Sequence, residues 1–419
     1  MIVSRGEVMD YLTLAIFALS YVGLALGRVP GLALDRTGIA LIGAVLMVVS
    51  GALAADRAFA AVDMSTMLLL YALMIFSAQF RLGGFYTQVV LKMAPLLANP
   101  VHFLGGVMAG SALMSALLVN DVVCLALTPV IIHCCRRASV VPVPHLLGLA
   151  LASNIGSATT LIGNPQNMLL GQVGRLDFAA FTLWSLPPAL MALVASFLLL
   201  VKLYRCELLP AGVPVRGAVQ AGDTAELPGF DRWQSGKGGL LLLLLVALFF
   251  TDVPREWSAL GLAALLLASR RMHTRSMLGL VDWHLLTLFA ALFVLNAGFA
   301  AAGWLPALGR WMMAAGIHLD QHGTLIVAAS LLSNLISNVP ACMLLFPLLP
   351  DTAQSWYLLA ATTTYAGNFF LIGSIANLIV VTQARQMGVV IGFGEHARVG
   401  IPATVVALLG LFGWSLIGH

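Results

Sequence analysis

This chain has little charge. Of its 419 residues only 9% are Asp, Glu, Lys or Arg, against roughly a quarter in soluble domains. With 60% hydrophobic residues and a mean hydropathy of +0.98, the deficit excludes a soluble globular domain. Basic, aromatic-interleaved patches are missing too, which excludes nucleic acid as a partner. Cysteine is sparse, five residues without a CxxC pair, so neither a disulfide framework nor a zinc site is indicated. There is no GxxxxGK[ST] loop, and the chain is therefore not itself an ATPase. His133 and His284 have no nucleophile or metal-ligand partners at helical spacing, which argues against an intramembrane enzyme. The opening "MIVSRGEVMD" lacks the basic n-region of a signal peptide, so the first apolar run reads as a retained helix.

What is abundant is apolar sequence in lengths that suit a ~30 Å hydrocarbon core. Such runs occupy about 9–27, 36–55, 64–80, 180–204, 237–251, 256–270, 282–300 and 399–417. Two more, 147–172 and 355–380, are interrupted by polar stretches, and 101–135 and 323–349 are broken by "LVND" and "ISNVP". The pieces at 84–96 and 304–318 are amphipathic and read as interfacial. One long hydrophilic connection, 205–236, divides the chain.

The two halves resemble each other. Asp63 aligns with Asp282, Asn120 with Asn338 and Asn167 with Asn377, at offsets of 219, 218 and 210. Three matches in order at nearly constant offset point to an internal duplication. If each broken segment, 101–135 and 323–349, is a re-entrant hairpin, each half crosses five times and the second half is inverted. Of the 21 Lys and Arg, Arg5, Arg57, Arg175, Arg255 and Arg310 then fall on one side and the remaining sixteen on the other. The positive-inside rule puts the sixteen in the cytoplasm, with both termini outside and the 205–236 linker cytoplasmic. The expected fold is all-α and integral to the membrane, with two inverted-topology repeats of five spans, each with a re-entrant hairpin and a discontinuous helix. Residues 1–204 form the first repeat, with hairpin 101–135 and broken helix 147–172. Residues 237–419 form the second, with hairpin 323–349 and broken helix 355–380.

Backbone that leaves the helix inside a bilayer must be buried in protein or line a wet cavity. Four breaks at repeat-related positions therefore predict a binding loop between half-helices, whose N-termini present free N–H groups and positive dipole ends. Asn120, Asn164, Asn338 and Ser374 are expected to cap the restarting helices, with Pro165 in a first turn. The candidate substrate- and ion-binding residues are Asn120 and Asp121 at the first hairpin tip, and Ser337 and Asn338 at the second. Around the first broken helix they are Asn154, Ser157, Thr159, Thr160, Gly163, Asn164 and Asn167. Around the second they are Thr363, Thr364, Asn368, Gly373, Ser374 and Asn377. Asp121 is the one carboxylate placed at membrane depth, and it suits carrying a proton or binding Na⁺. Cys124 and Cys342 read as buried structural thiols, Arg136 and Arg137 as topology anchors, and Asp63 and Asp282 as interfacial caps.

The motifs "NDVVCLALTP", "SNIGSATTLIGNPQN", "SNVPACMLLFP" and "GNFFLIGSIANLI" together resemble those of the ion transporter superfamily. That group holds citrate and divalent-anion symporters, arsenite-efflux permeases and some sodium/proton antiporters. The likeness covers about 36–417 and is nearest the arsenite-permease-like branch, which carries an Asn-Asp pair at the first hairpin, here Asn120-Asp121. Divalent-anion symporters carry Ser-Asn-Thr at both tips, where this chain has Val-Asn-Asp and Ser-Asn-Val. The resemblance implies a secondary transporter in the cell inner (plasma) membrane for a small inorganic or organic anion or oxyacid. Its coupling ion would be H⁺ or Na⁺ with no other cofactor, and its assembly a homodimer. The alternatives are a sodium/proton antiporter and a sodium-coupled di- or tricarboxylate symporter.

Overall fold

The computed structural model describes residues 5–27, 31–208 and 229–417. Most of the 205–236 linker, together with Arg28 and Arg216, lies outside the described residues. Among the described residues every regular element is helical. The first half comprises α1 (Arg5–Leu26), α2 (Arg36–Val49), α3 (Ala55–Ala61), α4 (Met64–Leu82) and α5 (Phe85–Met93). It continues with α6 (Pro100–Leu117), α7 (Asn120–Arg137), α8 (Val143–Ser157), α9 (Pro165–Val173) and α10 (Phe178–Leu203). A single turn, α11 (Arg205–Leu208), follows. The second half begins with α12 (Arg232–Leu248), α13 (Arg255–Leu267), α14 (Thr274–Leu278), α15 (Trp283–Ala301) and α16 (Trp304–Ala314). It ends with α17 (His322–Ile336), α18 (Asn338–Leu345), α19 (Ala353–Ala366), α20 (Ile375–Gln386) and α21 (Phe393–Ser415).

Taken in order, α1–α10 match α12–α21 one for one. The short α3 corresponds to the short α14, the split α6–α7 to α17–α18, and the split α8–α9 to α19–α20. Packing is reciprocal as well. Helix α2 packs on α15 while α13 packs on α4, and α3 meets α15 while α14 meets α4. Cross-half pairs that occur in both senses are what a two-fold axis between the halves demands. The likeness reaches single side chains: a Cβ on Gly105 would stand 3.5 Å from the Phe197 ring, and one on Gly323 would stand 3.5 Å from that of Phe412.

Helix starts are set by side-chain caps. Asp63 Oδ1 accepts the Thr66 N–H at 2.7 Å and Asp282 Oδ1 that of Leu285 at 2.9 Å, so the paired aspartates are caps as their sequence positions suggest. Among the described residues six helices are long and apolar enough to cross a membrane: Val8–Leu26 within α1, then α4, α6, α10, α15 and α21. Helices α2 and α13, expected as spans, have 14 and 13 residues, about 20 Å each at 1.5 Å per residue. The expected run 36–55 stops at Val49 because Gly51 turns the chain at φ +78°, a conformation glycine adopts without steric cost. Helix α6, expected as a hairpin arm, is itself 18 residues long, against 15 for its counterpart α17.

Candidate functional site

The four breaks fall at the predicted places, but only one of the four predicted caps bonds its helix. Asn164 does: its Oδ1 accepts the Asn167 N–H at 2.9 Å, with Pro165 in the first turn of α9. Asn120 and Asn338 are instead the first helical residues of α7 and α18, behind Val119 and Ser337. Because the preceding residues take the cap position, both amides are released to bond other elements. Ser374 occupies the cap position of α20 without bonding that helix, and its hydroxyl donates to Asn154 Oδ1 at 3.1 Å.

Asn154, buried in α8, is the hub of the site. Its Nδ2 donates to Asn368 Oδ1 at 2.7 Å and to Asn377 Oδ1 at 3.2 Å. Its Oδ1 accepts from Ser374 and, at 3.1 Å, from Asn120 Nδ2. One side chain thus joins the first hairpin tip to the second broken helix. A parallel tie crosses the other way, where Thr364 Oγ1 accepts from Asn164 Nδ2 at 3.2 Å and from Gln166 Nε2 at 3.1 Å. At the second tip one end of the Asn338 side-chain amide stands 2.8 Å from Ser333 Oγ, 3.2 Å from the Thr363 carbonyl and 3.0 Å from the Gly373 carbonyl, three contacts that its nitrogen can fill as donor. Close backbone approach makes this possible. A Cβ on Gly163 would collide with the Ser157 backbone, and one on Gly156 with the backbone of Ala112 in α6.

All four breaks line one cavity of about 30 Å³, walled by Asn120, Asp121, Pro165, Gln166, Leu285, Ser337, Asn338, Val339, Ser374 and Ile375. That is enough room for at least one water molecule. The wall holds one carboxylate, three side-chain amides, two hydroxyls and four apolar side chains, and no Lys or Arg. Asn120 Oδ1, buried, has no hydrogen-bond partner. Asp121 also lines a second cavity of about 80 Å³, together with Ser77, Arg81 and Asp282, so this residue borders both spaces. The tip residue Ser337 holds φ +78° and ψ 162°, a region essentially reserved for glycine.

Of the predicted residues, Asn120, Asp121, Ser337, Asn338 and Ser374 face the cavity, while Asn154, Asn164, Thr364, Asn368 and Asn377 form the network behind it. Ser157 donates to the Asn154 carbonyl at 2.8 Å and accepts from Asn164 at 3.1 Å. Gly163 and Gly373 sit at close backbone contacts. Thr159 and Thr363 turn their hydroxyls to carbonyls of their own turns, at 2.7 Å to Gly156 and 2.9 Å to Leu359, and Thr160 donates to the Ala116 carbonyl. Membrane threonines commonly bond this way. Sequence reading missed Gln166, although it lies between the two asparagines of "NPQN". It also treated Asp282 only as a cap, whereas Asp282 shares a cavity with Asp121. Among the described residues no group of three or more His, Cys, Asp or Glu is placed to hold a metal.

The chain as a whole is similar to known proteins. The citrate transporter family CitMHS matches residues 21–366. The silicon efflux transporter LSI3 of Oryza sativa subsp. japonica is 30% identical, over 93% of this chain and 94% of its own. The putative transporter arsB of Dictyostelium discoideum is 23% identical, over 97% and 92%. The crystal structure of the YdaH transporter of Alcanivorax borkumensis superposes with a TM-score of 0.60 at 14% identity, covering 99% of this chain and 97% of that one. That likeness concerns the fold. The chain belongs to the citrate transporter (CitMHS) family and is a multi-pass membrane transporter, not an enzyme.

Proposed function

We propose that the chain is a secondary active transporter that moves a small oxyacid or anion by ion-coupled alternating access, with Asp121 as the coupling group. One observation carries this reading: four helix breaks line a single cavity whose wall has amides, hydroxyls and one carboxylate but no cationic side chain. Such a wall offers both donors and acceptors to a neutral oxyacid. A tricarboxylate would meet Asp121 without a balancing cation, so the silicon-efflux and arsB relatives are the better guide to its solute. The coupling ion is H⁺, carried by Asp121, which borders both cavities, and Na⁺ is the rival at the same group. The halves are inverted repeats in the inner membrane, with the Arg81 end of α4 in the cytoplasm and both termini outside.

The test is proton flux in everted vesicles, followed with a pH-sensitive dye while silicic acid, arsenite, citrate or Na⁺ is added. Dissipation of the gradient by either oxyacid that disappears in Asp121→Asn supports the reading. A response to Na⁺ alone makes the chain a sodium/proton antiporter. A Na⁺-dependent response to citrate makes it a carboxylate symporter.

A further inference from the structure

The two faces of the molecule are closed by different chemistry. Arg36 and Thr37 at the start of α2 correspond to Arg255 and Glu256 at the start of α13, both at an offset of 219. Arg255 reaches the far end of the half-helix α9: its Nη1 donates to the Gly171 carbonyl at 3.1 Å and its Nη2 to that of Leu176. Glu256 completes the tie. Its Oε1 accepts from Ser65 Oγ of α4 at 3.2 Å and its Oε2 from Gln172 Nε2 of α9 at 3.2 Å. Two charged side chains of α13 therefore fasten α9, whose opposite end carries Asn164 and Gln166 of the site, to α4 and α13.

The other half repeats the acceptors but not the tie. The bond from Leu176 N to the Gly171 carbonyl, 3.1 Å, has its counterpart in Val389 N to the Ala384 carbonyl at 2.8 Å. Arg36 does not reach those carbonyls; it donates from Nε to Leu24 of α1 at 3.2 Å. Thr37, with no charge to offer, meets the His284 carbonyl at 3.5 Å. The C-terminal end of α20 is held from within its own group of broken elements, by Arg136 of α7 donating to the Met387 carbonyl. Ser65 and Arg81 lie at opposite ends of α4, about 24 Å apart at 1.5 Å per residue. The 80 Å³ cavity beside Asp121 is lined from the Arg81 end. The fastened face is thus the one away from that cavity.

We propose that Arg255 and Glu256 are a positioning pair that latches α9 to α4 and α13, so that the face they occupy stays shut while the other remains free to open. The inference rests on the alternating-access reading. Charge-assisted hydrogen bonds are the strong ones, and losing one to two of them shifts a two-state equilibrium about tenfold.

The experiment is a distance measurement on the full chain in nanodiscs. Spin labels are placed on cysteines at the exposed positions Met64 and Val173, with the exposed Cys206 replaced, and read by pulsed electron resonance. The intact latch gives a short-distance population with a small long-distance fraction. Glu256→Gln is expected to raise that fraction about tenfold, and Glu256→Asp to restore most of the short population. Should Glu256→Gln fail to fold, the Ser65→Ala/Gln172→Ala double variant removes the same hydrogen bonds and keeps both charges. A distribution unchanged in whichever of these variants folds overturns the latch. Failure of the transport reading would be seen separately, as no solute-driven flux through the unlabelled chain.

Discussion

Asn167 and Asn377 make the same pair of hydrogen bonds 210 residues apart in the chain. Asn167 Nδ2 donates to the carbonyls of Ser157 at 3.3 Å and Thr160 at 2.9 Å. Asn377 Nδ2 donates to those of Gly367 at 2.9 Å and Phe370 at 3.4 Å. In each half a half-helix uses its first-turn asparagine to pin the unwound segment before it, satisfying carbonyls that have left the helical ladder. The pins differ in one respect. Asn377 Oδ1 also accepts from Asn154, whereas Asn167 Oδ1 is buried without a partner.

That difference predicts unequal costs. Asn167→Ala leaves the buried Thr160 carbonyl unpaired, while the Ser157 carbonyl keeps its bond from Asn164 Nδ2 at 3.3 Å, and should destabilise the protein by about 1–3 kcal/mol. Asn377→Ala should cost about 1 kcal/mol more, because it also strands a donor on Asn154. Thermal unfolding of the purified variants in one detergent measures both. Equal losses would show that the Asn154 contact contributes nothing.

The hub itself should be the most sensitive position. Asn154→Ala removes four side-chain hydrogen bonds in one step, leaving Asn120, Ser374, Asn368 and Asn377 each short of a partner. A loss of at least about 3 kcal/mol follows from the cost of unpaired buried polar groups. The same thermal assay tests it, and a near-neutral variant would mean that water replaces the side chain.

Much of this architecture was legible in the sequence because membrane burial leaves few ways to use polar residues. The breaks at Asn120, Asn164, Ser337 and Ser374 stood out against apolar surroundings, and the offsets that link Asn120 to Asn338 recur in matched helices. Which way a side chain turns was not legible. Asn120 and Asn338 are one residue past the cap, and that single-residue shift sends their amides across the site instead of along their helices. Gln166 looked like one more polar residue in a polar run, and only its proximity to Thr364 in the folded chain gives it a place. The Arg255–Glu256 tie was invisible for the same reason, since its partners lie 84 residues away for Gly171 and 191 for Ser65.

Backbone strain at the second hairpin tip gives a prediction of opposite sign. Ser337 sits at φ +78°, ψ 162°, where a side chain costs about 1–3 kcal/mol. Ser337→Gly should raise the thermal midpoint, while Ser337→Ala should not, because alanine keeps the Cβ. If the strain serves solute binding, the glycine variant will be more stable and will transport more slowly. A glycine variant no more stable than the native chain would show that the neighbouring Asn338 bonds fully compensate.

Two glycine-to-alanine changes separate packing from helix propensity. Gly156 lies in α8 where a Cβ would collide with the Ala112 backbone of α6, and backbone cannot yield as a flexible side-chain end can. Gly156→Ala must push α6 from α8, next to both Asn154 and the tip that presents Asn120. It should cost at least about 1–3 kcal/mol, the usual range for overpacking, and weaken solute binding as well. Gly236 is exposed in α12, and a Cβ added there would meet nothing within 4 Å, so Gly236→Ala should gain up to about 1 kcal/mol from helix propensity alone. Thermal midpoints and solute-driven flux, measured side by side, test the pair. If both variants lose stability alike, the α6–α8 contact is not what holds the hairpin tip against the hub.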